Sequence, residues 1–219
     1  MPCLGMDHMN WFERSKRGMV KWMALGFLTL AAATLFAELA EDVWLNEGFG
    51  WDAPIMLAIH RTSVPWLDWL MRTVSASAGR WITVPIAGTA LFFAWRREWT
   101  VTLAVLLGYG GAMGFNTLLK LLFARPRPSV FPPLVVESSF SFPSGHTMSA
   151  VAFYGLLSLL LWQRNKIGWA VLPGLWVPLV ALSRVYLGAH YPSDVLASLA
   201  VGTVYLVGLI LFLNEGEGA

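Results

Sequence analysis

The stretch "SFPSGHTMSAVAFYGLLSLLLW", Ser141 to Trp162, joins two kinds of chemistry. Its first residues are small and polar and include a histidine. The rest is an apolar run long enough to enter a bilayer. His146 therefore stands at the end of a greasy helix, where charge is expensive. Crossing a membrane takes roughly 20 apolar residues, fewer where the flanks snorkel. Working outward from this run, six stretches qualify: about 20–40, 80–95, 99–122, 145–162, 167–186 and 192–213. The expected fold is all-α, a polytopic membrane bundle of six transmembrane helices, one integral membrane domain over residues 1–219.

The composition agrees. Hydrophobic residues make up 57% of the 219 and charged residues 13%, where a soluble domain carries about a quarter charged. Mean hydropathy is +0.60. A net charge of +2 is too small to point to nucleic acid. With a single cysteine, Cys3, no intrachain disulfide can form, and the spacing of a zinc site is absent. Twelve tryptophans suit a chain whose indoles line both membrane interfaces. The second stretch is short and carries Pro85. The fifth carries Pro173 and Pro178, so a kinked but continuous helix is expected there.

Basic residues set the orientation. Arg14, Lys16, Arg17 and Lys21 precede the first span, Arg96 and Arg97 follow the second, and Arg164 and Lys166 follow the fourth. These segments alternate so as to share one side, the cytoplasm, with both termini inside. "LFAELAEDV" makes a poor cleavage site, so the first stretch reads as a span rather than a signal peptide. The outer loop 41–79 alternates apolar and polar residues around Pro54 and Pro65. It reads as short interfacial helices, or equally as an ordered cap on the bundle. Gly110 and Gly114, at GxxxG spacing, read as close helix packing within the chain.

Three polar clusters fall at span ends. "KLLFARPRP" holds Lys120, Arg125 and Arg127; "PSGH" runs from Pro143 to His146; "SRVYLGAHYPSD" holds Ser183, Arg184, His190 and Asp194. The spans alternate in direction, so all three clusters land on the outer face. Lys120, Arg127 and Arg184 repel one another unless an anion joins them, and a guanidinium fork matches phosphate oxygens. Pro143 and Pro192 both read as first-turn helix prolines, which would aim two helix N-termini at the same space. Ser144 and Gly145 add donors. Asp194, four residues after His190, can hold one imidazole nitrogen protonated and free the other to attack. His146 suits a general acid.

Singly, each feature has a plainer explanation. A histidine at a span end is usually a packing residue, and an arginine there usually snorkels. His190 and Asp194 could ligate a metal, but three cations would repel it, so neither metal nor cofactor is expected. Arg125 and Glu137 could touch substrate but read first as loop supports, His8 as a solvated tail residue and His60 as an interfacial one. The three clusters together outweigh the plainer explanations.

At these positions the sequence resembles the type 2 phosphatidic acid phosphatases, a family of membrane lipid phosphatases. The signature is Lys, six residues, Arg-Pro; then Pro-Ser-Gly-His; then Ser-Arg, five residues, His, three residues, Asp. Lys120 with Arg127-Pro128, Pro143 to His146, and Ser183-Arg184 with His190 and Asp194 match it in order across residues 120–194. The resemblance implies metal-independent hydrolysis of a lipid phosphomonoester or diphosphate. It makes His190 a nucleophile that becomes phosphohistidine, Asp194 its orienter and His146 the acid. Lys120, Arg127, Arg184, Ser144 and Gly145 would hold the phosphoryl oxygens. The implied partners are the bilayer and a lipid phosphate: undecaprenyl diphosphate, phosphatidylglycerol phosphate, phosphatidic acid or lipid A phosphate. Alternatives are a lipid phosphotransferase and, from another class, a transporter of anionic lipid. Polar groups near the midplane would mark a transporter, and these spans hold almost none.

Overall fold

The computed structural model describes residues 7–215. Cys3 lies outside them, and the side chain of His8 is not described. Helix α1 spans Asp7–Trp44, α2 Asp52–His60, α3 Pro65–Ser77, α4 Thr83–Trp95 and α5 Trp99–Phe123. Then come α6, Gly145–Gln163, α7, Ile167–Tyr186, and α8, Pro192–Glu215.

Among the described residues five helices have the length and hydropathy to cross a membrane: the stretch Trp22–Trp44 of α1, then α5, α6, α7 and α8. The expected second span is α4, apolar but only 13 residues. At 1.5 Å per residue that is about 20 Å, short of the hydrocarbon thickness of roughly 30 Å. Trp22–Trp44 covers 23 residues, or about 34 Å. Pro173 and Pro178 lie inside α7, which stays continuous as expected.

Helix α6 is the hub. Ala150, Ala152 and Phe153 are buried, and its neighbours are α5, α7 and α8. Its middle turn, Val151–Gly155, is π-helical. The tight glycine contacts are not those expected. A Cβ on Gly110 or Gly114 would meet open space. One on Gly111 would lie 2.1 Å from Tyr205 Oη, and one on Gly108 would touch Ala152 and Leu156. The GxxxG pair faces away from the bundle because the buried face of α5 follows Ala104, Val105, Gly108 and Ala112 instead.

The outward surface is apolar: Phe27, Leu30, Val84, Leu91 and Leu172 are all exposed. Exposed tryptophans stand at helix ends, Trp95, Trp99, Trp162 and Trp169 at one end of the bundle and Trp44, Trp66, Trp69 and Trp81 toward the other. This is the distribution of aromatic belts. Arg164 pairs with Glu98 and lies over the Phe93 ring, so the 96–98 and 164–166 turns share an end. The polar clusters gather at the opposite end.

The loop 45–82 caps that end. Met56 is buried against α7 and α8, and Met71, Val74, Ser75 and Ala76 face α7. Of the two readings of the loop, the ordered cap describes its packing, with Trp66 and Trp69 left on the outside.

Candidate active site

Local structure explains how each cluster is aimed. Helix α5 ends because Ala124 turns left-handed, φ 43°, and returns its N–H to the carbonyl of Lys120. Prolines at 126 and 128 then keep the chain from resuming a helix. Helix α6 begins at Gly145, not at Pro143. Ser144 is the cap, its hydroxyl accepting the Thr147 N–H at 3.5 Å and the Thr147 hydroxyl at 3.0 Å. Pro143 thus stands one residue before the cap, because Ser144 is the residue able to satisfy a first-turn amide. Pro192 does open α8, as expected. Between α7 and α8 the chain reverses through Gly188, φ +71°, and this delivers His190 beside the start of α8.

His190 is almost fully buried. Its Nδ1 lies 3.4 Å from Asp194 Oδ2 and 3.4 Å from Ser141 Oγ. Its Nε2 lies 3.3 Å from Nη1 of Arg127. A guanidinium only donates, so Nε2 is the accepting nitrogen and Nδ1 carries the proton toward the carboxylate. That tautomer leaves a lone pair on Nε2. Burial, with Arg184, Arg127 and Lys120 adding, pushes the imidazole well below the ordinary histidine range and keeps it neutral at pH 7.

Asp194 is saturated. Oδ2 takes the Ser141 hydroxyl and the Tyr191 N–H, the latter at 2.9 Å, while Oδ1 takes Arg125 Nη1 at 2.5 Å. The expectation that Arg125 supports the loop is thus half the picture, since it also grips Asp194. Ser141 was missed as a partner although it opens the quoted stretch. Asp52 was missed altogether, and no local signal ties it to residues about 140 positions away.

A cavity of about 240 Å³ is lined by Lys120, Arg127, Glu137, Gly145, His146 and His190, with Gly79 and Ser139 at its wall. Arg127 is fixed by carbonyls: Nε donates to Ser139 O at 2.7 Å and Nη1 to Ala189 O at 2.7 Å. Lys120 Nζ donates to the carbonyl of Phe140. Gly145 has Asn116 Oδ1 within 3.2 Å of where a Cβ would sit, so its backbone is closely approached.

Two expected phosphate ligands stand apart from this cavity. Ser144 is fully buried and occupied in capping. Arg184 lines a neighbouring recess. Its Nη2 donates to Glu137 Oε1 and its Nη1 to Ser75 Oγ, both at 2.5 Å. Glu137 is therefore more than a loop support. Its carboxylate stands between Arg184 and His146, 4.0 Å from His146 Nδ1, and lines both cavities. Burial opposes its ionisation, but Arg184, His146 and Arg127 outweigh that and hold it below the usual carboxylate range. His60 is also not merely interfacial: its ring stacks on Phe131 with centroids 3.8 Å apart. Among the described residues no group of three His, Cys, Asp or Glu side chains could hold a metal ion.

A membrane helical bundle thus carries, at one end, a buried His–Asp pair facing a cation-lined cavity, the constellation of a phosphate-handling membrane enzyme. The sequence model of the PAP2 superfamily matches residues 101–216, and the chain belongs to that superfamily. It is 34% identical over 190 residues to phosphatidylglycerophosphatase B of Bacillus subtilis, covering 83% of this chain and 90% of that one. It is 30% identical to lipid A 1-phosphatase of Rhizobium johnstonii, over 94% of this chain and 87% of that one. It is 27% identical to undecaprenyl-diphosphatase of Sulfolobus acidocaldarius, over 72% and 76%. The crystal structure of the transmembrane PAP2-type phosphatidylglycerolphosphate phosphatase from Bacillus subtilis superposes with a TM-score of 0.77 at 30% identity, covering 86% of this chain and 97% of that one. The protein is an integral membrane enzyme, a hydrolase of phosphoric esters of the lipid phosphatase kind.

Proposed function

We propose that the protein hydrolyses a lipid phosphomonoester or isoprenoid diphosphate without a metal, through a phosphohistidine on His190. The substrate classes are those in the relatives' names, phosphatidylglycerol phosphate and undecaprenyl diphosphate first. The observation that carries the reading is the pairing on one buried ring: Nδ1 faces Asp194 while Nε2 faces a cation-lined cavity.

In the first step the lone pair of His190 Nε2 forms a bond to phosphorus. The bond from phosphorus to the lipid oxygen breaks, and that oxygen takes a proton from His146. In the second step a water attacks phosphorus and gives a proton back to His146. The P–N bond breaks, and its electrons return to Nε2. Lys120, Arg127 and the amide of Gly145 face the phosphoryl oxygens. Arg184 joins them once the incoming dianion replaces the Glu137 carboxylate beside it.

The site end is assigned to the outer side of a bacterial inner membrane. Support comes from the basic turns at Arg96–Arg97 and Arg164–Lys166, at the opposite end of the bundle. Both termini are then cytoplasmic, and the outer helices α2 and α3 rest at the interface through Trp66 and Trp69.

Phosphate release by the purified protein tests the reading. Activity should persist in EDTA and be inhibited by vanadate, which mimics the five-coordinate phosphoryl group. Loss on chelation with recovery on adding magnesium or zinc would overturn the metal-free chemistry.

A further inference from the structure

His146 lines two spaces, not one. On one side is the cavity shared with His190. On the other is a recess of about 430 Å³ lined by Arg72, Ser75, Arg80, Glu137, His146 and Arg184. Phosphoryl transfer requires the attacking and leaving atoms to be roughly in line. A leaving oxygen that takes its proton from His146 therefore points away from His190. The group attached to it continues into the recess on the far side.

The recess is not built for an uncharged glyceride or a bare polyprenol. Three guanidinium groups face it against the single carboxylate of Glu137. Arg184 is buried to 1% exposure, yet its Nε has no hydrogen-bond partner among the described residues. A buried donor without an acceptor is costly, and the two Nη groups beside it are held by Ser75 and Glu137, so the guanidinium is fixed at the wall of the recess. Arg72 and Arg80 sit on α3 and the turn after it, and neither has an ion-pair partner among the described residues. Both are exposed, and Arg80 lies 5.8 Å over the Trp81 ring, yet both line the concave space that Arg184 also lines.

We propose that this recess is a subsite for a second phosphate, carried on the leaving group of the substrate. The inference rests on the assignment of His190 as nucleophile and His146 as acid. It makes Arg72 and Arg80 determinants of specificity. They favour substrates in which a phosphate follows the scissile one, directly as in an isoprenoid diphosphate or across a glycerol as in phosphatidylglycerol phosphate. Phosphatidic acid, whose leaving group carries no phosphate, gains nothing from them.

The test is kcat/KM in neutral-detergent micelles for undecaprenyl diphosphate, phosphatidylglycerol phosphate and phosphatidic acid. Wild type is compared with Arg72→Gln, Arg80→Gln and, as a control for general surface charge, Arg61→Gln, an exposed arginine outside the recess. The expected result is a fall of about tenfold per recess arginine in the ratio of a two-phosphate substrate to phosphatidic acid, the worth of a charge-assisted hydrogen bond. The ratio should hold in Arg61→Gln. A fall for the diphosphate alone places the second phosphate directly after the first, and a fall for the glycerol-bridged lipid alone places it further along. Unchanged ratios, or an equal fall in Arg61→Gln, would overturn the subsite. Failure of the underlying reading looks different: wild type would release no phosphate from any of the three, or His190→Ala would release it at the wild-type rate.

Discussion

Asp52 accepts from Arg125 across 3.1 Å, and this ion pair ties the cap to the end of the bundle that holds His190. Asp52 is buried in α2 and also takes the N–H of Ser193 at 2.9 Å and its hydroxyl at 2.5 Å. Arg125, stacked 4.2 Å over the Tyr191 ring, spans from Asp52 to Asp194. The orientation of the carboxylate beside His190, the proposed nucleophile, thus depends on a residue of the 45–82 loop.

Asp52→Asn should therefore lower kcat by about tenfold or more, the loss of a charged hydrogen bond in a buried network, with little change in KM. If Asp52 acts through Arg125 on Asp194, adding Asp52→Asn to Asp194→Asn should cost much less than it does in wild type. Steady-state kinetics on the four proteins measures this, and additive losses would show that Asp52 serves only the fold.

Gly79 has a job the sequence did not announce. A Cβ there would lie 2.3 Å from His146 Nε2 and 2.8 Å from its Cδ2. Gly79→Ala must push the imidazole out of place. Turnover should fall toward that of a protein lacking its acid, about 10²–10⁴-fold, while thermal stability in detergent changes little. Normal turnover in Gly79→Ala would place the proton donor elsewhere.

The buried, neutral His190 also links stability to pH. Its folded-state pKa lies below the ordinary value, mainly through burial. The folded protein therefore binds fewer protons than the unfolded chain once pH drops below about 6.5. Stability is fully present above that pH and is lost as pH falls further. Thermal midpoints at pH 7.5 and 5.5 should show the decline, and His190→Gln should remove part of it. An identical decline in the variant would contradict the assignment of a depressed imidazole.

What was legible in the sequence follows from what is local. Spans α5 to α8 agree with the apolar runs to within two residues, because a bilayer-length run is a property of consecutive residues. The short α4 shows the limit: "WITVPIAGTALFFAW" is apolar enough, but its first residues make turns rather than helix. The convergence of Lys120, Arg127, His146 and His190 was legible because alternating spans bring their ends together. The partition of the site was not. Placing Arg184 behind Glu137, and Asp52 against Arg125, depends on loop paths that no periodicity encodes. The GxxxG spacing misled because helical phase decides which glycine faces a neighbour.

His146→Ala should separate substrates by leaving group. A lipid alkoxide needs a proton in the transition state, so that reaction should slow by about 10²–10⁴-fold. A nitrophenolate leaves unaided, and its release should slow far less. Equal losses on a lipid monophosphate and on nitrophenyl phosphate would contradict the role of His146.

The central claim is tested most directly by trapping the phosphoenzyme in an alkaline quench. Purified enzyme is mixed with substrate labelled in the terminal phosphate, denatured within a turnover at the alkaline pH that preserves phosphohistidine, and digested for peptide mapping. A rapid alkaline quench at a series of times gives the time course of the same label. The account predicts label on the peptide containing His190 in wild type and none in His190→Ala. Label on His146, or complete turnover with no protein-bound phosphate at any time, would contradict it.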